Sequence, residues 1–162
     1  MRELTLRGSL DSGRCASPTA ASPAPWPLPN TKSEMPYIYP EANKLDQEPK
    51  VGTGDCVPLV QHYAGAPGAA QWREGERVRG SRTIKPGTAI ATFENGRYAN
   101  RSSGNHAAFY IGQDALGIYV VDQWKGERKP RISRRHIRFR GANADGSYPA
   151  ASDNGDAFSV IE

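Results

Sequence analysis

Cysteine is scarce. Cys15 and Cys56 are the only two, and Cys15 falls in a stretch with no apolar periodicity. Both therefore read as free thiols, which disfavours a secreted scaffold built on disulfides. Histidine is equally sparse, at three residues, and no second metal-spaced pair accompanies Cys56 and His106. A zinc site is not expected, and no metal or cofactor is. No run of about 18 apolar residues occurs, so no membrane span is expected. Met1 to Leu10 lacks the apolar centre of a secretory signal, so any export would take a route independent of one. Charge of one sign is also lacking: 21 basic and 17 acidic residues leave a net +4, spread along the chain. That balance suits an acidic polymer or surface, but with no aromatic-rich basic motif it gives no case for nucleic acid.

What is present is turn chemistry. The 162 residues include 17 glycines and 13 prolines, while apolar residues reach only 37%. Such a chain makes one compact domain with many turns and short strands. Residues 1–34 stand apart. Cys15 to Pro29 holds five prolines among small residues and cannot bury enough surface to offset its ordering entropy. This stretch reads as a flexible leader, or as an over-extended gene start with Met35 opening the folded domain, 35–162.

From Val51 the pattern changes. Thr53-Gly54-Asp55 signals a turn and a helix cap, with Asp55 expected to accept bonds from the first free amides. A helix is predicted over Cys56 to Ala64, because Val57, Val60 and Tyr63 recur at helical spacing, with Leu59 beside them. Pro58 is tolerated in the first turn, and Gly65 is a natural stop. A loop-rich region follows through Trp72 to Arg82. Strands are predicted over Thr88–Phe93, His106–Gly112, Gly117–Trp124, Ile132–Phe139 and Ala157–Ile161, separated by short turns. The fold class is therefore α+β: one helix against an antiparallel sheet of about five strands.

Chemistry concentrates at three residues. A thiol in the first turn of a helix meets the positive end of the dipole and unpaired amides, which favour thiolate, and the same amides suit an oxyanion. Cys56 holds that position. His106 opens a strand, half exposed, with an imidazole able to take a proton from the thiol and return it to a leaving amine. His62 and His136 read as structural or solvated. If the hairpin of the second and third predicted strands has even register, His106 shares a face with Ala108, Tyr110, Ile118, Val120 and Asp122. Asp122 then orients the imidazole. A slip of one residue would present Gln123 instead. Asp55, Gln123 and Trp124 border these three and are expected to touch substrate.

Gly54-Asp55-Cys56-Val57-Pro58-Leu59-Val60-Gln61 resembles the nucleophile helix of NlpC-type peptidases and CHAP amidases. Lys85-Pro86-Gly87-Thr88-Ala89-Ile90 resembles the lead-in to their next strand, and Gly104-Asn105-His106-Ala107-Ala108-Phe109-Tyr110-Ile111-Gly112 their histidine strand. The order and spacing, ending in Asp122-Gln123-Trp124, are similar to a small bacterial group of amidases, some of them toxins exported by type VI secretion. Val57-Pro58 departs from the usual Ser-Gly, Asp122 replaces the customary third residue, and only Tyr39 offers itself for the tyrosine usually found upstream.

The resemblance implies a papain-like fold and a cysteine amidase or endopeptidase acting on bacterial peptidoglycan stem peptides. It also implies manufacture in the bacterial cytoplasm, export to a target-cell periplasm by a non-Sec route, and an immunity or inhibitor protein as partner. Two other readings stay open at this level. One is a noncatalytic binding module with Cys56 buried. The other is a cytosolic thiol acyltransferase or amidohydrolase using the same pair.

Overall fold

The computed structural model describes residues 35–162. The predicted leader, with Cys15, lies outside the described residues.

The helix α1 spans Cys56–Ala64 as the spacing predicts. Its inner face buries Leu59 and Val60 completely, with Val57 and Tyr63 packed beside them. Gly65 ends it in the left-handed conformation, φ 68°, and returns its amide to the carbonyls of Val60 and Gln61. A side chain is disfavoured in that conformation, so glycine is the natural stop.

Asp55 is the N-terminal flank of α1, but its side chain makes no capping bond. This corrects the expected cap. The third helical residue is Pro58, which has no N–H to offer. The carboxylate of Asp55 instead accepts from Thr53 Oγ1 at 2.7 Å and pairs with Lys125 Nζ at 3.0 Å.

Six strands form one sheet: β1 Glu74–Arg77, β2 Ala89–Thr92, β3 Ala107–Gln113, β4 Gly117–Asp122, β5 Ser133–Arg138 and β6 Phe158–Ile161. Their spatial order is β1-β6-β2-β3-β4-β5, with every neighbour antiparallel. Five correspond to the predicted strands. The sixth, β1, lies in the stretch expected to be loop-rich. Its sequence Glu-Gly-Glu-Arg has no apolar alternation because it is a largely exposed edge strand, held by backbone pairing to β6 rather than by a buried face.

The sheet is covered on both faces. One face carries Ala89, Ala91, Ala107, Phe109 and Val121, which pack with Leu59, Val60 and Trp72 beneath α1. The other carries Ile90, Ala108, Tyr110, Ile118, Val120 and Ile137, closed by Val78, Phe158 and Phe139. This two-sided burial is why β2, Ala-Ile-Ala-Thr, is buried at every position and shows no alternation. The Lys85-Pro86-Gly87 turn delivers β2. Gly87 sits at φ +89°, and a Cβ there would lie 2.2 Å from the carbonyl oxygen of Tyr39, so only glycine fits.

The β3–β4 hairpin decides which face His106 and Asp122 take. Near its open end the register is even: Phe109 faces Val121 and Tyr110 faces Val120. His106 and Asp122 then fall on the same side as Ala108, Tyr110 and Val120, as expected. A bulge between Tyr110 and Gly112 shifts the register by one, so Gly112 faces Tyr119 and Gln113 faces Ile118. The slip that would exchange Asp122 for Gln123 does occur, but at the turn end, away from His106.

Candidate active site

Cys56 stands in the first turn of α1, half buried, where the helix meets the sheet. It opens into a cleft of about 490 Å³ whose walls include Asp55, Tyr98, Arg101, Asn105, His106, Trp124 and Lys125. Because Asp55 does not cap, the amides of Cys56 and Val57 are left unclaimed by it.

His106, expected to be half exposed, is buried at 4% exposure, because Trp124 and Phe158 pack edge-on to its ring. Its backbone N–H donates to Thr92 Oγ1 at 3.0 Å, which fixes the residue at the mouth of β3. Ring atom Nε2 lies 2.8 Å from Asp122 Oδ2. With Nε2–H donating to that carboxylate, Nδ1 is the nitrogen left for the thiol.

Asp122 has no exposed surface. Besides His106, Oδ2 accepts from Arg135 Nε at 2.6 Å, and Oδ1 accepts from Lys129 Nζ at 2.7 Å. Burial pushes this carboxyl up, but the His106 bond and the Arg135 and Lys129 charges outweigh it, and the group sits far below the usual carboxylate range. It remains ionised at any ordinary pH.

The thiol and the imidazole shift in opposite directions. Burial alone would raise Cys56; His106 first, then Tyr98 and the Ala107 amide, bring it below an ordinary thiol. Burial alone would lower His106; the bond to Asp122 and the neighbouring sulfur carry it above an ordinary imidazole. Opposite shifts of this kind favour the thiolate–imidazolium pair.

Tyr98 escaped the sequence reading. Its hydroxyl lies 3.4 Å from Cys56 Sγ and accepts from Asn105 Nδ2 at 2.8 Å. Asn105 thereby occupies an oxygen lone pair and leaves the phenolic proton free to point at the sulfur. Burial is the main reason the phenol stays protonated, its pKa lying well above that of free tyrosine. Tyr39, the upstream candidate, packs instead between Tyr63 and Phe109. A tyrosine separated from Cys56 by 42 positions in a loop gives no sequence signal. Lys129 and Arg135 were missed likewise.

The three residues expected to touch substrate are placed differently from one another. Asp55 stands at the rim, about half exposed. Trp124 walls the cleft, edge-on to His106 at 6.1 Å between ring centres. Gln123 is fully buried. Its Oε1 accepts from Val51 N at 3.0 Å, and its Nε2 donates to the carbonyls of Val51 and Asp55 at 2.9 and 2.7 Å. Its place is thus beneath the loop that leads into α1, not against the cleft. Odd parity turns it to the opposite side of the strand from Asp122. His62 lies edge-on to Tyr63, and His136 pairs with Asp114; neither reaches the cleft.

Among the described residues, no cluster of three or more His, Cys, Asp or Glu side chains is arranged to hold a metal ion, and no helix is long and apolar enough to cross a membrane.

A helix bearing a thiol in its first turn, packed on an antiparallel sheet that supplies imidazole and carboxylate, puts this protein in the papain-like class of α+β folds. The family described as domesticated amidase effector 2 matches residues 40–161, and the chain belongs to that family. A type VI secretion amidase effector 2 protein from Salmonella typhi is 48% identical over 133 residues, covering 79% of this chain and all of its own. The solved structure of a type 6 secretion amidase effector 2 superposes with a TM-score of 0.74 at 46% identity. It covers 78% of this chain and 94% of its own. Amide-bond hydrolysis is the activity that family membership carries.

Proposed function

We propose that this chain is a cysteine-dependent amidase of bacterial peptidoglycan stem peptides, with Cys56 as nucleophile, His106 as general base and acid, and Asp122 holding His106. The observation that carries the reading is the meeting, in one cleft, of a half-buried thiol with a depressed pKa and an imidazole already bonded to an ionised carboxylate. An inert core cysteine would have neither an open cleft nor these partners.

The chemistry follows from the positions. The Cys56 thiolate attacks the amide carbon, and the carbonyl oxygen gains negative charge. The first-turn amides of α1 receive that charge, with the Tyr98 hydroxyl near at hand as a further donor. His106, protonated, gives its Nδ1 proton to the departing amine, which leaves as the C–N bond breaks. Water then gives a proton to the imidazole and its oxygen to the thioester carbon, which releases the acid and restores Cys56. Asp122 keeps the imidazole in the required tautomer throughout. Gln123 acts at one remove, by pinning the loop that sets Cys56.

The peptidoglycan substrate, export through a type VI secretion system and neutralisation by an immunity protein rest on the resemblance and on the names of the relatives. The net charge of +4 suits approach to an acidic wall polymer. Purified muropeptides provide the test. Cys56→Ala is expected to keep the native circular dichroism spectrum and to leave the muropeptides intact. Digestion by this variant at the parent rate would overturn the proposal.

A further inference from the structure

Behind the cleft, the loop between β4 and β5 sends one lysine into the interior. Lys129 is 4% exposed, an unusual fate for a lysine unless its charge is matched. Nζ bonds Asp122 Oδ1 at 2.7 Å and the hydroxyl of Ser133, and lies 4.2 Å from the centre of the Trp124 ring. Arg135 reaches the same ring from β5, at 5.1 Å. The indole is thus in range of two cations while its edge meets His106.

The two carboxylate oxygens of Asp122 have separate duties. Oδ2 takes His106 and Arg135; Oδ1 takes Lys129 alone. Without Lys129, nothing holds Oδ1, and the carboxylate can turn about its last bond and carry Oδ2 off the imidazole.

We propose that Lys129 is a positioning residue of the reaction: it clamps Oδ1 of Asp122 and so keeps Oδ2 on His106 Nε2. The inference rests on the reading of Cys56, His106 and Asp122 as the reacting group. The charged and titratable groups around His106 are Cys56 from α1, Asp122 from β4, Lys129 from its loop and Arg135 from β5, with Tyr98 against the sulfur and Asp55, Arg101 and Lys125 in the cleft wall. Arg135 is shared in turn with Asp153 at 2.6 Å. A lysine with no partner but Asp122 would be a simple charge match. The added bond to Ser133, whose residue lies opposite Asp122 in the β4–β5 ladder, and the stacking on Trp124 fix Nζ from two further sides.

The test compares the parent with Lys129→Met, which keeps the length of the side chain and removes its charge. Muropeptide hydrolysis is followed as kcat and KM across pH, and iodoacetamide labelling of the Cys56 peptide, resolved from that of Cys15 by mass spectrometry, counts folded, reactive thiol. With Oδ1 released, Oδ2 spends less time on His106 Nε2 and imidazolium loses its bonded partner, so the basic limb of the rate profile is expected to move down by about one pH unit. The loss of positioning is expected to lower kcat per reactive thiol roughly tenfold, with KM changed less than about twofold. A purely structural lysine would lower thermal stability and leave the basic limb and kcat per reactive thiol where they were; that result overturns the inference. If Lys129→Met fails to fold, Ser133→Ala decides, because it removes one support of Nζ and leaves the charge. A lower kcat per reactive thiol supports the inference, and a value equal to the parent's overturns it. Failure of the cysteine reading itself is separately visible, since Cys56→Ala would then remain active.

Discussion

A thiol becomes a nucleophile only when its surroundings pay for the charge. At Cys56, burial works against thiolate, and three neighbours work for it: the His106 imidazole, the Tyr98 hydroxyl and the Ala107 amide. Tyr98 is the one that can be removed most cleanly. Tyr98→Phe keeps the ring, which packs 4.9 Å from Trp72, and deletes only the donor aimed at the sulfur. The Cys56 pKa should then rise, so less thiolate is present at a given pH below it. Alkylation of Cys56 by iodoacetamide near pH 6, followed on its own peptide, is expected to slow by several-fold, up to about tenfold if the shift reaches one unit. An unchanged alkylation rate would show that the phenol contributes nothing to the thiolate. Asn105→Ala should give a weaker change in the same direction, because the phenolic proton loses the partner that orients it.

At the level of elements, the approach to α1 is held in an unusual way. The helix start has no side-chain cap, since the N–H at the third helical position is missing at Pro58 and Asp55 turns to Thr53 and Lys125. Gln123 braces this approach from another element and leaves the first-turn amides free, fastening the backbone of Val51 and Asp55 to the end of β4. Two substitutions separate these roles. Asp55→Ala should cost less than about 0.5 kcal/mol in urea unfolding, below the roughly 1 kcal/mol of a true cap. Gln123→Ala leaves buried backbone groups unpaired and should cost about 1–3 kcal/mol. It should also lower the hydrolysis rate, because the loop that sets Cys56 is released. If the two variants prove equally stable, the brace assigned to Gln123 is wrong.

Elements also show where the sequence could be read. α1 and the five strands with apolar faces were legible, because each is an apolar run bounded by turn residues: Leu59 and Val60 on the helix before Gly65, Ala89 to Ala91 on β2 after Pro86-Gly87, and Ile118, Val120 and Val121 on β4 after Gly117. β1 was illegible, because its Glu-Gly-Glu-Arg sequence is stabilised by backbone bonds to β6 that any sequence could make. The bulge at Ile111 was equally hidden. It shifts Gln113 onto the face of Ile118, where its amide bonds the carbonyls of Val78 and Ser81.

For the whole molecule, the described residues 35–162 contain every member of the proposed site and both apolar layers of the sheet. A chain begun at Met35 is therefore expected to unfold in a single cooperative transition and to hydrolyse muropeptides at a rate within about twofold of the full chain. A large loss would show that residues 1–34 contribute to the folded enzyme.

The sequence alone determined the α+β class, the span of α1, the positions of Cys56 and His106 in their elements and the parity that puts His106 and Asp122 on one face. Each of these follows from local geometry: helical and strand periods, and turn residues at fixed offsets. Tertiary structure alone decided which groups surround them. Tyr98 reaches the sulfur, Lys129 and Arg135 reach Asp122, and Gln123 turns away from the cleft to hold the loop before Cys56. Those contacts join segments distant along the chain, and no local period records which polar side chains meet once the sheet has formed.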